Sequence, residues 1–376
     1  MRVLLAAAVL VFMYVPLCAQ TLKVRVLNIY HPESLEALQL NGVEKVKVRY
    51  VKGDNIEVIY NNEKKITNQY FLNSGRYGEY EIRLNGKSYI YKGKVMFFVP
   101  KDEKEAGIIV EMDPEDYVSA SLDGELEGFY SSPESDKALA IAIRTYALKN
   151  LKRHGYYDLC DLTHCQRLNG RVQLKRDSNT KAAEATHGVI IADKKGNPAD
   201  IYFSGCCGGE TEPPGNIWGG NNDSAGVIKC GAGGVDFCKS HVFYRWEKEI
   251  KASSVKSLVK EKTGIHLKGN IDMSAEDLTP GGNVRMLLIK DKKNTVEFPL
   301  EKFISAYGKK YRWSDMPSRK FTVLKKGTSF ILKGRGAGHG CGLCLAGAHM
   351  LALKGWSYEG VLNFYYPGMQ LIKAPE

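Results

Sequence analysis

The chain has 376 residues, with 53 Lys and Arg against 42 Asp and Glu, which gives a formal net charge of +11. Its composition, 44% hydrophobic and 25% charged, is that of a globular protein and excludes wholesale disorder and fibrous repeats. No apolar run of about 18 residues follows the N-terminus, which excludes a multi-span membrane protein. The length predicts two domains, or one large domain with an appendage.

The N-terminus predicts a secretory signal peptide over residues 1–19. Arg2 precedes an uncharged, mostly apolar run over residues 3–15 that is too short to span a membrane and stop there. We expect cleavage after Ala19, and a lipid anchor on Cys18 is the alternative. The protein is therefore expected to be exported, to the periplasm, the cell envelope or the medium. Its remaining cysteines would meet an oxidising environment there.

The positive net charge indicates which classes of binding partner to expect. A basic exported protein can bind acidic cell-wall polymer, anionic lipid or extracellular nucleic acid. Lys and Arg are scattered along this sequence and form no stripe, so we do not expect nucleic acid as a partner.

Residues 20–87 are predicted to form a small β-rich region. Apolar and polar residues alternate over 22–27 and 46–51, the period of half-buried strands. Asn-Gly pairs at 41–42 and 85–86 predict turns. We find no catalytic constellation here and expect an appendage for docking or spacing.

Residues 113–127 are predicted to form a helix, with Asp113 as N-cap and Pro114 at the first helical position. Helical spacing places Glu125 on the same apolar face as Val118 and Leu122. Loss of solvation raises the pKa of such a carboxyl, as a general acid requires. The alternative is a structural glutamate that reaches solvent or forms an ion pair.

A second helix is predicted from Ser132. Residues 138–148 are apolar nearly all round, as in a buried helix, and Arg144 is the lone charge among them. A buried guanidinium needs a carboxylate or an anionic ligand. Glu125 is one candidate partner that is near in sequence.

The cysteines allow both metal and disulfide chemistry. His154, Cys160, His164 and Cys165 could hold a zinc ion, structural if all four bind, but they match no standard finger, and a disulfide is the alternative. Four further cysteines favour disulfides of undetermined pairing, namely Cys206, Cys207, Cys230 and Cys238. The spacing of Cys341 and Cys344 is that of a redox pair, but no thioredoxin-like context supports redox catalysis.

The glycine-rich run 334–342 matches neither a P-loop nor a dinucleotide loop. We expect its glycines to let the backbone approach a bulky ligand, with His339 held among them. His339 could carry a proton, bind a ligand or serve as a structural hydrogen-bonding group. A helix is predicted near 343–354, ended by Gly355.

Taken together, these motifs resemble the stage II sporulation protein D family. The blocks occur in family order from about residue 88 to the C-terminus: residues 115–118, Glu125, and residues 140–147, 157–166, 204–211, 334–340 and 365–368. The resemblance implies an exported protein that acts on the glycan strands of the bacterial cell wall. We therefore expect an α+β fold with a buried helical pair near 113–150, and one peptidoglycan-acting domain over 88–376.

The family resemblance also implies site residues. The catalytic glutamate falls on Glu125, and a zinc ion is implied at His154, Cys160 and Cys165. We expect supporting or substrate-binding roles for Arg144, Tyr202, Ser204, Glu210 and His339. No cofactor is expected to be required for the chemistry.

The sequence departs from the family at several positions. Leu139 stands where the family usually has Gln, residues 126–128 lack its usual Met and Pro, and Cys344 and Leu345 replace a Ser-Gln pair. If those polar groups line the sugar cleft, substrate or activity differs here. The expected function is a lytic transglycosylase; the alternative is a non-enzymatic wall-binding protein that enhances an amidase.

Overall fold

A computed structural model describes residues 21–40, 42, 44–126, 131–168, 170, 177–220 and 226–374. The predicted signal peptide, residues 1–19, lies outside this part of the chain. None of the described helices combines the length and the hydropathy that crossing a bilayer requires.

A ten-stranded sheet forms the N-terminal part of the fold, in the order β10-β1-β9-β8-β7-β2-β3-β4-β5, with β6 paired to β8. Its strands are β1 (Leu22–Val26), β2 (Ser34–Gln39), β3 (Lys45–Lys52), β4 (Asn55–Tyr60), β5 (Glu63–Thr67), β6 (Gln69–Phe71), β7 (Gly78–Leu84), β8 (Lys87–Phe98), β9 (Gly107–Met112) and β10 (Leu159–Cys160). The β1–β10 pair is parallel and the other pairs are antiparallel. The predicted β-rich region is confirmed.

The predicted turn at 85–86 joins β7 to β8. Asn85 and Gly86 both have positive φ, 53° and 73°, the combination that a two-residue hairpin of matching twist requires. Because β8 begins directly after this turn and pairs with both β7 and β9, one sheet continues through residue 87. The proposed domain limits stay a prediction.

Eight α-helices lie in the described part of the chain: α1 (Pro114–Glu125), α2 (Pro133–Lys149), α3 (Asp177–Ala185), α4 (Pro214–Trp218), α5 (Ala252–Thr263), α6 (Leu300–Lys310), α7 (Leu345–Leu353) and α8 (Tyr358–Tyr365). The predicted starts of the first two are confirmed. The Asp113 side chain caps α1 by accepting from the Glu115 N–H at 2.8 Å. Ser132 and Ser135 form a capping box at the start of α2.

The remaining strands form small sheets, paired as β11–β22, β12–β21 and β13–β14 and in the triplets β15-β20-β19 and β16-β17-β18. They are β11 (Val189–Ala192), β12 (Phe203–Ser204), β13 (Gly231–Ala232), β14 (Val235–Asp236), β15 (Trp246–Lys251), β16 (Asp272–Leu278), β17 (Val284–Lys290), β18 (Thr295–Pro299), β19 (Lys320–Lys326), β20 (Ser329–Arg335), β21 (Leu343–Cys344) and β22 (Gln370–Lys373). The expected α+β class is confirmed.

Two large hydrophobic cores organise the described part of the chain. The larger joins the N-terminal sheet to α1, α2, α7 and α8, and residues 138–143 of α2 are completely buried within it. The second core lies within residues 246–332 and joins β15–β20 to α5 and α6. The candidate site residues named from the sequence belong to elements around the larger core.

Candidate active site

Glu125 is the last residue of α1, where the helix ends towards the segment 165–167. Its Oε1 accepts a hydrogen bond from the Arg167 backbone N–H at 2.6 Å. Burial raises the pKa of Glu125 to about 7, and the hydrogen bond from Arg167 opposes that rise. The residue nevertheless remains partly exposed, so a substrate atom could approach a carboxyl that is protonated near neutral pH.

Neighbouring residues hold this segment against the end of α1. Buried Tyr117 donates its hydroxyl hydrogen to Oε1 of Gln166 at 2.7 Å. At Gly124 an added Cβ would lie 2.5 Å from the Arg167 carbonyl oxygen, so only glycine permits this approach. The position of the Glu125 carboxyl thus depends on backbone contact between α1 and Arg167.

Arg144 pairs with Glu115, and the candidate pair with Glu125 is therefore wrong. Its Nε and Nη2 donate to the two Glu115 carboxylate oxygens at 2.7 and 2.6 Å. Further bonds run to the carbonyl oxygens of Val189 at 2.9 Å and Ala183 at 3.3 Å. Arg144 is 1% exposed, so the expectation that this buried guanidinium needs a carboxylate is confirmed.

The physical reason is helix direction. A short connection makes α1 and α2 antiparallel neighbours, so the end of α2 lies beside the start of α1. Glu115 is in the first turn of α1, whereas Glu125 is in its last. The Arg144 donors are directed to Glu115 and to backbone carbonyls, an arrangement that supports the structure.

Three aromatic rings form a group at the glycine-rich segment, and one of them, His339, belongs to the segment itself. Tyr202 and Trp218 stack with ring centroids 5.0 Å apart. The His339 ring meets Trp218 edge-on at 5.1 Å and Tyr202 at 6.2 Å. Trp218 is 42% exposed, so this group presents an aromatic surface to solvent.

His339 is held neutral within that group. Burial and the nearby Arg319 lower its pKa to about 4. Its Nδ1 accepts from the Cys341 N–H at 3.0 Å, and a second hydrogen bond involves the Phe203 backbone. Of the three roles open from the sequence, this geometry supports the structural one.

Ser204 and Glu210 occupy different surroundings. Ser204 is 6% exposed, and its hydroxyl finds no hydrogen-bond partner among the described residues. It lies against the loop of His339, because a Cβ added to Gly338 would approach the Ser204 Cβ to 3.0 Å. Glu210 is partly exposed and forms a backbone bridge with Lys229. Their roles remain predictions.

Several glycines of 334–342 approach other parts of the protein closely, and the expected approach to a bulky ligand stays a prediction. A Cβ at Gly334 would lie 2.1 Å from the Trp246 ring, and one at Gly342 would lie 2.0 Å from the Tyr202 carbonyl oxygen. Gly342 also has φ +66°, which disfavours other residues. These glycines therefore bring the His339 segment close to β12 and β15.

Tyrosine side chains lie between Glu125 and the ring group. Buried Tyr117 is close to both Glu125 and Tyr146. Tyr146, which is partly exposed, is in turn close to Tyr202.

The predicted metal residues come together in the fold. Ligand atoms of His154, Cys160, His164 and Cys165 all lie within 4.8 Å of one another. His154 Nε2 is 3.1 Å from Cys165 Sγ, and His164 Nε2 is 3.2 Å from Cys160 Sγ. Two thiols and two imidazoles fit a tetrahedral zinc ion with no open position.

The predicted disulfides are wrong. Cys206, Cys207, Cys230 and Cys238 are all free thiols. The Cys207 and Cys238 sulfurs are 3.8 Å apart, well beyond the ~2.05 Å of a disulfide bond. Oxidising surroundings made disulfides plausible from the sequence, but the fold instead gathers several of these sulfurs around one point.

Comparison with known proteins supports the family resemblance. Residues 102–192 match the family model for the stage II sporulation protein. The chain is also 23% identical over 282 residues to the stage II sporulation protein D of Bacillus subtilis, covering 69% of this chain and 74% of that protein. These matches confirm the resemblance to the stage II sporulation protein D family that the sequence motifs indicated.

Two other relatives and a second domain match are informative. An uncharacterized protein of Brachyspira hyodysenteriae is 27% identical over 301 residues, 77% of this chain and 73% of that protein. The amidase enhancer of Bacillus subtilis is 24% identical over 348 residues, 83% of this chain, but the chain spans only 47% of its length. Residues 227–342 match a domain of unknown function.

The departures from the stage II sporulation protein D family pattern lie in the core. Leu139 is completely buried in α2, Leu345 at the start of α7 is 6% exposed, and Cys344 is fully buried. Apolar residues at the two leucine positions fit these surroundings. Of the stretch 126–128, only Leu126 lies in the described part of the chain, and it is also buried.

Sequence reasoning missed three residues of this region. Trp218 completes the aromatic group, and a Trp directly before Gly219 and Gly220 was its available signal in the sequence. The second is Glu115, whose pairing with Arg144 could have been inferred from the antiparallel arrangement of two adjacent helices. The third is Glu212, which is 1% exposed. Its carboxylate accepts hydrogen bonds of 2.6 to 2.9 Å from the side chains of Asn216, Thr279 and Asn283. Its backbone N–H donates to the Gly340 carbonyl oxygen at 2.9 Å.

Proposed function

We propose that this protein is an exported lytic transglycosylase that cleaves the β-1,4 bond between N-acetylmuramic acid and N-acetylglucosamine in peptidoglycan. The observation that carries the proposal is Glu125, a partly exposed carboxyl whose pKa burial raises to about 7. The similarity of residues 102–192 to the stage II sporulation protein D family supports a role in the cell wall.

A single carboxyl group suffices for this reaction. Protonated Glu125 donates its proton to the glycosidic oxygen, and the bond to the muramyl C1 breaks through an oxocarbenium-like state. The resulting carboxylate then takes the proton of the muramyl 6-hydroxyl, whose oxygen closes the 1,6-anhydro ring. No water is consumed, so the second carboxylate of a hydrolase is not required.

The aromatic surface is the proposed support for the sugar. The stacked rings of Tyr202 and Trp218 offer an apolar plane with a polar tip, the kind of surface on which a pyranose ring packs. Neutral His339 holds the loop in place beside them. The net charge of +11 favours association with anionic wall polymers.

We also propose a structural zinc ion at His154, Cys160, His164 and Cys165. This ion would fix the turn that leads to Arg167 and hence to the Glu125 hydrogen bond. Cys160→Ser is expected to lower the zinc content by about one ion per chain, measured by mass spectrometry of the metal in purified protein. Unchanged zinc content would contradict this assignment.

Gly124→Ala tests the positioning of Glu125. The added Cβ, 2.5 Å from the Arg167 carbonyl oxygen, must displace that backbone and with it the hydrogen bond to Glu125. We expect glycan cleavage to slow by on the order of 10- to 100-fold, since small misplacements of catalytic groups have effects of this size. Gly360→Ala is the matched control, because its Cβ would meet neighbours only at 3.5 Å or more. Equal rates for the two variants would contradict the positioning role.

The second candidate function is enhancement of a wall amidase without catalysis. The observation that favours it is the similarity to a relative named amidase enhancer. This role predicts that the protein binds peptidoglycan and stimulates an N-acetylmuramoyl-L-alanine amidase, and that Glu125→Gln retains the effect.

Digestion of purified peptidoglycan, followed by mass spectrometry of the fragments, separates these functions. The transglycosylase yields 1,6-anhydro-muramyl ends, whereas a hydrolase yields reducing ends. Intact glycan strands together with faster peptide release by an added amidase would support the enhancer instead.

A further inference from the structure

A second group of cysteines converges from three separate segments of the chain. Cys207 follows β12, Cys230 and Cys238 flank the β13–β14 hairpin, and Cys344 is the last residue of β21. Their sulfur atoms all lie within 4.8 Å of one another. The most distant pair in sequence, Cys207 and Cys344, is separated by 137 positions, so this convergence is a product of the fold.

The sulfur spacing fits a tetrahedral metal site. Four thiolates bound to one zinc ion at ~2.3 Å lie about 3.8 Å from each other, as tetrahedral geometry requires. The Cys207 and Cys238 sulfurs are 3.8 Å apart. Two disulfides would require only that the sulfur atoms approach each other in pairs. They would not require all four sulfur atoms to lie around a common centre.

The surroundings place hydrogen-bonding groups beside the sulfurs. The Cys207 backbone N–H points at the Cys344 sulfur at 3.3 Å, and the Tyr365 hydroxyl lies 3.0 Å from the Cys230 sulfur. Outer hydrogen bonds of this kind stabilise metal-bound ligands. Gly347 makes room for them, because a Cβ there would lie 2.0 Å from the Tyr365 oxygen and 2.6 Å from the Cys230 sulfur.

Burial indicates a structural ion. The four cysteines are between 0% and 3% exposed, so they are closed to solvent and to substrate. A site with four protein ligands leaves no open position for catalysis. Cys341 lies outside this group, since its thiol points at the His339 carbonyl oxygen. Cys206 borders the group: its thiol points at the Cys238 carbonyl oxygen and also interacts with the Cys238 and Cys344 sulfurs.

We propose that Cys207, Cys230, Cys238 and Cys344 bind a structural zinc ion, separate from the His154 cluster and independent of the catalytic proposal. The ion would tie the turn after β12, the β13–β14 hairpin and β21 into one unit. Because β12 begins just after Tyr202 and β21 just after the His339 segment, this unit also holds the aromatic surface together.

Metal analysis of the purified full chain tests the site. Wild type is expected to hold about two zinc ions per chain, and Cys238→Ser and Cys160→Ser about one each. Cys341→Ser is the control, because Cys341 is equally buried but lies outside both clusters, and it should retain both ions. Zinc X-ray absorption should show the sulfur share of the coordination rise in Cys160→Ser, which retains the four-sulfur site alone.

Peptide mapping of unreduced wild type covers the case in which Cys238→Ser fails to fold. Free thiols at all four positions after metal removal, with zinc released in proportion, are expected. Disulfides among these cysteines, iron in place of zinc, or loss of all metal in Cys160→Ser with a retained fold would overturn the assignment.

Discussion

Substitution of Glu125 by Gln is expected to lower the rate of glycan cleavage by about 10²–10⁴-fold, the usual contribution of a general acid–base group. Gln keeps the shape of the side chain and can still accept the Arg167 N–H, so the fold should be retained. The rate of anhydro-sugar release measures the effect, and circular dichroism checks the fold. Asp123→Asn, a carboxyl loss two residues away on the same helix, is the matched control.

The pH dependence gives the same prediction a second readout. Because the pKa of folded Glu125 is about 7, the acid form is lost and cleavage slows as the pH rises above about 7. The raised pKa also means that the folded state holds this proton more tightly than the unfolded state does, where the value is near 4.5. Stability should therefore fall between pH 4.5 and 7, by on the order of 1–3 kcal/mol, and Glu125→Gln should lack that fall. Equal pH profiles of stability in both proteins would contradict a desolvated carboxyl.

Removal of the Glu115 carboxylate is expected to have the largest effect on stability. Glu115→Gln leaves the Arg144 guanidinium, 1% exposed, without its charge partner. Loss of one partner of a buried ion pair costs about 3–5 kcal/mol of unfolding free energy. Denaturant unfolding measures this change.

The double variant Glu115→Gln/Arg144→Met distinguishes the cost of losing the ion pair from the cost of leaving a buried charge unpaired. With no unpaired guanidinium left inside, most of the lost stability should return. Both variants should keep the wild-type pH profile of cleavage in the folded fraction, because neither residue contacts Glu125. A shifted profile would mean that Arg144 acts on the catalytic carboxyl after all.

Local structure could be predicted from short-range patterns. Asp113 before Pro114, and Ser132 before Pro133, fixed two helix starts because caps and first-turn prolines act within a few residues. The turn at Asn85-Gly86 followed from the positive φ that its hairpin requires. The burial of α2 followed from the lack of any polar face.

Pairing across the chain was harder to predict. Sequence distance favours Glu125 as a partner of Arg144, but the direction of the two helices brings Glu115 to it instead. The disulfide expectation failed for a similar reason. Cys344 comes from the far end of the chain, and no local pattern shows that it meets the hairpin cysteines.

The glycine-rich segment shows what amino-acid composition alone cannot predict. Its glycines could equally admit a ligand or another part of the protein, and the sequence contains nothing to distinguish the two. Trp246 and the Tyr202 carbonyl oxygen, which two of these glycines approach, lie on or beside strands that come from elsewhere in the chain. The second core over 246–332 likewise depends on sheet pairings that periodicity alone does not assign.

Digestion of peptidoglycan in water enriched in heavy oxygen is the most direct test of the central claim. The account predicts 1,6-anhydro-muramyl ends that carry no label, formed by wild type and nearly absent with Glu125→Gln. Labelled reducing ends, or intact glycan strands after incubation with correctly folded and zinc-loaded wild type, would contradict it.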